Sequence, residues 1–217
     1  MFERLKFNKC VNTIHSIAEE KDMSSKTVER IASVIFSKPI FSKEKCKLIF
    51  QNEYCLSEMY MASFFIALKA LTNAYKDKNT DKFEAYTDIL AVITAASMRK
   101  LTKLSESDYE LWYEQFKYFN DNIDELYEQG DIQDFIRNIS NNFLPLIFYC
   151  MNNNKLMPVN DDFFNAEQIF DFSKSFELLA ECMAYLIVFN DNIQDCISED
   201  KSFVMKRFIG GYTIFDK

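Results

Sequence analysis

The sequence predicts an all-α protein: a single multi-helix bundle of about seven to nine helices with central apolar helices. Three observations carry that prediction. The 217 residues include only three Gly and three Pro, where ordinary usage is about 7% and 5%. A chain so poor in turn-formers lacks the means for the many tight turns of a sandwich or barrel. Apolar residues recur at spacings of three and four over long stretches, the period of a helix buried along one face. Finally, a chain of this length buries roughly 70% of the surface its unfolded form exposes, so a core can form without disulfide staples.

The elements follow in order. A helix is predicted from about Glu3 to Lys21, with Phe7, Val11, Ile14 and Ala18 on one face. "KDMSS" breaks it, and Asp22 or Ser24 can cap the next helix by accepting from an orphan N–H. That helix carries Val28, Ile31, Ala32 and Ile35 and ends at Lys38-Pro39, because a residue before Pro is pushed out of the α region. A long helix is then expected from Ser42 to about Lys78, with a stripe of Leu48, Leu56, Met59, Phe64, Leu68, Leu71 and Tyr75. "DKNTD" is a turn, after which Asp81 and Glu84 fit a variant capping box. The helix beginning there, to about Leu104, contains "ILAVITAASM", apolar nearly all round, and so is expected near the centre.

Ser105 caps the next helix, whose seam Trp112, Phe116, Phe119, Ile123 and Leu126 alternates spacings of four and three, as in a bundle. Gly130 stops it, since glycine readily takes the left-handed C-terminal position. Asp131 opens a helix with Ile132, Phe135, Ile139, Phe143, Leu146 and Cys150, which Pro145 should kink or interrupt by its missing N–H. "NNNKLMPVNDD", residues 152–162, is the longest loop-like segment and a weak candidate boundary in what otherwise reads as one domain over 1–217. Residues 1–38 form a helical hairpin that could be a subdomain. A short helix to Phe172 and a long apolar one from Ser173 to Ile197 follow. A last amphipathic turn or two, Glu199 to Ile209, ends at Gly210-Gly211, and the tail "YTIFDK" is expected either to dock as an extended segment or to hang free.

Charge is unevenly spread. Residues 1–105 carry 17 Lys/Arg and 12 Asp/Glu, net +5, and residues 106–217 carry 8 and 21, net −13. From Glu106 to Asp134 there are ten carboxylates against Lys117 alone. Such a run forms a solvated helix face, and it also offers a surface for a basic partner or an imitation of DNA's phosphate field. The candidate protein-binding surface is therefore Glu106, Asp108, Glu110, Glu114, Asp121, Asp124, Glu125 and Glu128. A groove lined by some of the 22 Phe and 11 Tyr is the other expected interface, although large rings fill cores more often.

Six cysteines stand apart with no C-x-x-C pair, and "MFERLKFNKC" has charges every two or three residues, unlike a signal peptide. Scattered thiols without such a signal point to a reducing, cytoplasmic setting. The longest uncharged run has an apolar part of only nine residues, Phe143 to Met151, where a membrane span needs about 20.

One segment raises a competing function. In "IAEEKDMSSKTVERIAS", the residues Ile17, Ala18, Met23, Ser24, Thr27, Val28 and Ile31 fall where a helix-turn-helix pattern places its apolar and small residues. Ser25, Lys26 and Arg30 would then be the candidate DNA-contacting residues, with Lys and Arg able to reach phosphate or guanine. The segment departs from the pattern at Lys21, normally apolar, at Asp22, where Gly makes the turn, and at Glu29, a carboxylate near phosphate. "TVERIASVIFSK" has some likeness to the start of TetR-type repressors. The Gly-containing second turn and the following recognition helix are absent, so nothing of that family is carried over.

The sequence speaks against several chemistries. One histidine, His15, cannot furnish the two Glu-x-x-His motifs of a di-iron bundle, and zinc-finger spacing is absent. Three glycines, two of them adjacent, allow no Gly-rich phosphate loop. Carboxylate pairs one turn apart (Glu84/Asp88, Glu110/Glu114, Glu177/Glu181) are the remaining route to a metal-assisted enzyme. The expectation is a non-enzymatic protein acting by protein–protein binding as an inhibitor, immunity-type, adaptor or regulatory protein, with no cofactor, metal, catalytic residue or membrane contact. The alternative is a helix-turn-helix regulator using residues 17–33.

Overall fold

Between Glu53 and Lys69 the chain carries a single charge, Glu58, and this stretch forms the axis of the molecule. A computed structural model of the protein describes residues 12–20, 25–35, 37, 39–75, 78–123, 132–160, 163, 176–198, 206–209 and 212–215. Its helices are α1 (residues 12–20), α2 (Ser25–Ile35), α3 (Glu44–Ile49), α4 (Glu53–Tyr75), α5 (Thr80–Leu101), α6 (Glu106–Asp121), α7 (Ile132–Asn153) and α8 (Phe176–Ile197). The fold is an all-α bundle, with a two-stranded hairpin, β1 (Lys206–Ile209) and β2 (Tyr212–Phe215), near its C-terminal end.

α4 is the central helix, buried continuously from Cys55 to Leu68. α5, α7 and α8 pack around it, and α2 lies across α5 and α8. "ILAVITAASM" on α5 is therefore not the centre, because Ala91 is exposed and Val92 half-buried. Apolar composition makes a helix buriable, but the number of neighbours decides which helix is surrounded. One core cluster takes in α1 (Ile14, Ala18), α2 (Val28, Ile31) and the 152–162 segment, which contributes Leu156 and Met157.

The predicted helix from Ser42 to Lys78 is two helices. Asn52 divides them, its Oδ1 accepting from the N–H groups of Tyr54 (2.9 Å) and Cys55 (3.2 Å), which satisfies two orphan donors of α4. Leu48, assigned to the buried stripe, is on the separate α3 and is 58% exposed. At α5 the cap is Asn79, accepting from Lys82 N at 3.0 Å, rather than a box of Asp81 and Glu84. Pro145 does not interrupt α7, which runs through it to Asn153. The stop comes at Asn154, whose φ of 50° is tolerated by a short polar side chain and whose N–H returns to Cys150 O at 2.8 Å.

The segment ending at Ile209 is a strand, not a helical turn. Lys206 pairs with Phe215 and Ile209 with Tyr212 in an antiparallel register, and β1 lies beside α8. The register leaves Gly210-Gly211 between the strands, a composition favoured in two-residue hairpin connections. The predicted turn around 21–24, the stop at Gly130 and the short helix before Phe172 lie outside the described residues, apart from Phe163, which is helical and buried.

Candidate functional site

α6 carries the acidic run, and its local chemistry starts at Ser105. The Ser105 hydroxyl accepts from Asp108 N (3.2 Å) and donates to Asp108 Oδ2 (2.6 Å). Glu106 and Asp108 in the first turn favour the positive end of the helix dipole. The inner face presents Trp112, Gln115 and Phe119, all buried. Trp112 Nε1 donates to the Ser57 carbonyl of α4 at 3.3 Å. Phe116 stacks near Phe65 at 5.7 Å and meets Phe64 edge-on at 4.9 Å. Rings therefore fill the space between α6 and α4.

With that face committed, the opposite one is set. Glu106, Glu110, Glu114 and Asp121 are exposed, and Tyr113 among them is 55% exposed. Lys117, also exposed, is the cation on this face. Among the described residues, none of these four carboxylates is held in an ion pair. Asp108 is different: it is half-buried and accepts from Tyr54 OH at 3.3 Å, so it serves the packing of α6 on α4. Asp124, Glu125 and Glu128 lie outside the described residues.

The helix-turn-helix candidates are spread differently. Lys26 and Glu29 are exposed. Arg30 is half-buried and close enough to Cys196 of α8 for its charge to oppose the rise that burial imposes on that thiol. The side chain of Ser25 is outside the described set, as are residues 21–24.

The carboxylate pairs separate as well. Glu84, Asp88, Glu110 and Glu114 all face water. Glu177 pairs with Lys43 at 3.6 Å. Glu181, buried, accepts from the backbone N–H of Ser42 at 2.7 Å and of Lys43 at 3.4 Å, and also from the Ser42 hydroxyl. Lys43 offers no side-chain cap to α3, and Glu181 of α8 instead holds the two residues that precede that helix. His15 is half-buried on α1. Among the described residues, no group of three or more His, Cys, Asp or Glu is placed to hold a metal ion.

Sequence reasoning passed over Glu58. It is the lone charge in a run of apolar residues, and that was the available signal. Glu58 is 0% exposed, and neither carboxyl oxygen has a hydrogen-bond partner. Burial pushes its carboxyl up to about 8, opposed by the Gln115 side chain. The same burial, with the Glu58 charge second, pushes the Cys55 thiol up to about 12 and raises Cys150 further. Thiols held protonated in this way are poor nucleophiles.

Among the described residues one helix, Glu53–Tyr75, is long and apolar enough to cross a membrane, and it is the buried α4, 89% of its apolar window lying inside the fold. No family model, curated protein or solved structure matches the chain.

Proposed function

We propose that the protein acts by binding a basic protein partner through the exposed face of α6, without chemistry of its own. The observation that carries this reading is the row Glu106, Glu110, Glu114 and Asp121, exposed and unpaired around the exposed ring of Tyr113. Unpaired carboxylates steer a cationic partner from a distance and select against acidic ones. A half-exposed tyrosine adds contact area at little entropic cost. A reducing compartment suits the five described cysteines, which are all buried and unbridged.

The test is binding of a lysine- and arginine-rich peptide to the full chain at about 50 and about 200 mM salt, since surface attraction is screened. Wild type is expected to bind and to weaken with salt. Glu110→Lys with Glu114→Lys should weaken binding by about tenfold or more, roughly 1.4 kcal/mol. The same reversal at Glu84 and Asp88 on α5 should leave it unchanged. Equal loss from both pairs, or no binding by wild type, overturns the reading. Salt-sensitive binding to duplex DNA that Lys26→Glu with Arg30→Glu abolishes would support the helix-turn-helix alternative instead.

A further inference from the structure

α4 and α7 run antiparallel, and three contacts fix their register. Asn52 Nδ2 donates to Asn154 Oδ1 at 2.9 Å, Cys55 Sγ meets Ile147 O at 3.5 Å, and the Phe65 and Phe143 rings lie 6.1 Å apart. Residue numbers fall along α7 as they rise along α4. Cys150 lies between Asn154 and Ile147, about one turn from each. A helical carbonyl points toward the N–H four residues on, so Ile147 O sits at the level of residues 150 and 151. Cys55 Sγ therefore stands at the height of Cys150.

Both thiols are 0% exposed. Burial raises the Cys150 thiol, and the charges that add to the rise, Glu58 and Cys55, belong to the first two turns of α4. Cys150 thus faces α4, as Cys55 faces α7. Packed helices lie about 8–10 Å apart with each Cα about 2.3 Å off its axis, so facing Cα atoms reach the about 4.4–6.8 Å that a disulfide spans. The structure holds the reduced form, with both thiols free.

We infer that Cys55 and Cys150 are a disulfide-forming pair, a staple between the start of α4 and the end of α7 that closes when the chain meets a disulfide oxidant. The oxidant class is a small disulfide such as oxidised glutathione. One protein thiolate attacks a glutathione sulfur, forming a mixed disulfide and releasing one glutathione thiolate. The second protein thiolate attacks the protein sulfur of that mixed disulfide, forming the Cys55–Cys150 bond and releasing the other glutathione thiolate. The two protons lost by the protein end on the two glutathiones, so two protein thiols are oxidised and one glutathione disulfide is reduced. In the closed fold burial keeps both protein thiols protonated and unreactive. The exchange therefore belongs to the open or folding chain, and the closed fold shields the bond once it has formed. The loop so tied off carries α5 and α6.

The experiment refolds the reduced, denatured full chain in a buffer of reduced and oxidised glutathione, traps free thiols with N-ethylmaleimide and maps the unreduced digest by mass spectrometry. Linked peptides of Cys55 and Cys150 should exceed every other linked pair by about tenfold or more, because facing thiols have a high effective concentration for each other. Both cysteines trapped as thiols or as glutathione adducts overturns the staple. So does Cys55 linked mainly to Cys182, the α8 thiol whose rise by burial also draws on the Cys46, Glu181 and Cys55 charges. In Cys150→Ser, Cys55 should stay unlinked to any other cysteine, and linkage at the wild-type yield overturns the pair. Should that variant not fold, the wild-type map decides alone. None of these measurements involves a protein partner, so the staple and the docking face stand or fall separately.

Discussion

Asn52 illustrates how much one short side chain does here. Its Oδ1 caps α4, while its Nδ2 donates to Asn154 Oδ1 at 2.9 Å, tying the start of the central helix to the stop of α7. Asn52→Ala should lower stability by about 1 kcal/mol, the ordinary worth of a cap, read as a lower urea midpoint at unchanged slope. An unchanged midpoint would mean that α4 does not depend on this cap. The residue pattern was partly legible in advance: Ser105 was expected to cap its helix and does so. Asn52 carries the same capping chemistry but sits inside a run whose helical period continues past it, so periodicity concealed the break; at Asn79 the turn was legible, and only the cap was assigned to Asp81 instead. The paired asparagine stop at Asn154 was hidden for another reason, since only the left-handed backbone there identifies it among its neighbours.

At the scale of elements, α6 is attached by rings. Phe65 of α4 is the hub, with Phe64 at 5.3 Å, Phe116 at 5.7 Å, Phe143 of α7 at 6.1 Å and Phe119 at 6.2 Å. Aromatic pairs contribute about 0.5–1.5 kcal/mol beyond burial, and truncating a buried Phe costs about 3–5 kcal/mol through lost transfer energy and the cavity left behind. Phe65→Ala should therefore lower stability by about that amount in chemical denaturation, and a loss below about 1 kcal/mol would show that the hub collapses around the gap. The seam of Trp112, Phe116 and Phe119 was readable because alternating spacings of three and four define one helical face. Their partners were not, because no local pattern links Phe116 to Phe65.

For the whole molecule, Glu58 sets a pH dependence of stability. Its folded-state value, about 8, lies above the ordinary 4.5, so over that window the folded chain holds a proton that the unfolded chain has released. The sign follows from linkage: this contribution is fully present below about pH 4.5 and is lost as pH rises through about 8. The loss across the window is of the order of a few kcal/mol. Unfolding free energies of wild type and Glu58→Gln should run parallel below about pH 4.5, diverge as pH rises, with wild type falling, and run parallel again above about pH 8. A constant difference from acid to alkaline pH would show that Glu58 keeps its proton equilibrium unchanged on folding.

Helicity, most of the buried faces and the acidic character of α6 arise from interactions between residues within a few positions of one another. Backbone bonds and the three-to-four spacing are local, so the amino-acid order was enough to establish them. Which helix lies at the axis, that Glu181 reaches across to hold α3, and that Glu58 sits against Gln115 were settled only when helices distant in sequence packed together. Burial and desolvation depend on what surrounds a group on every side, and for Glu58 those surroundings come from α6 and α7. The same holds for β1 and β2: the strand state of Lys206–Ile209 is stabilised by backbone pairing with Tyr212–Phe215, which overrode the helical period of its side chains.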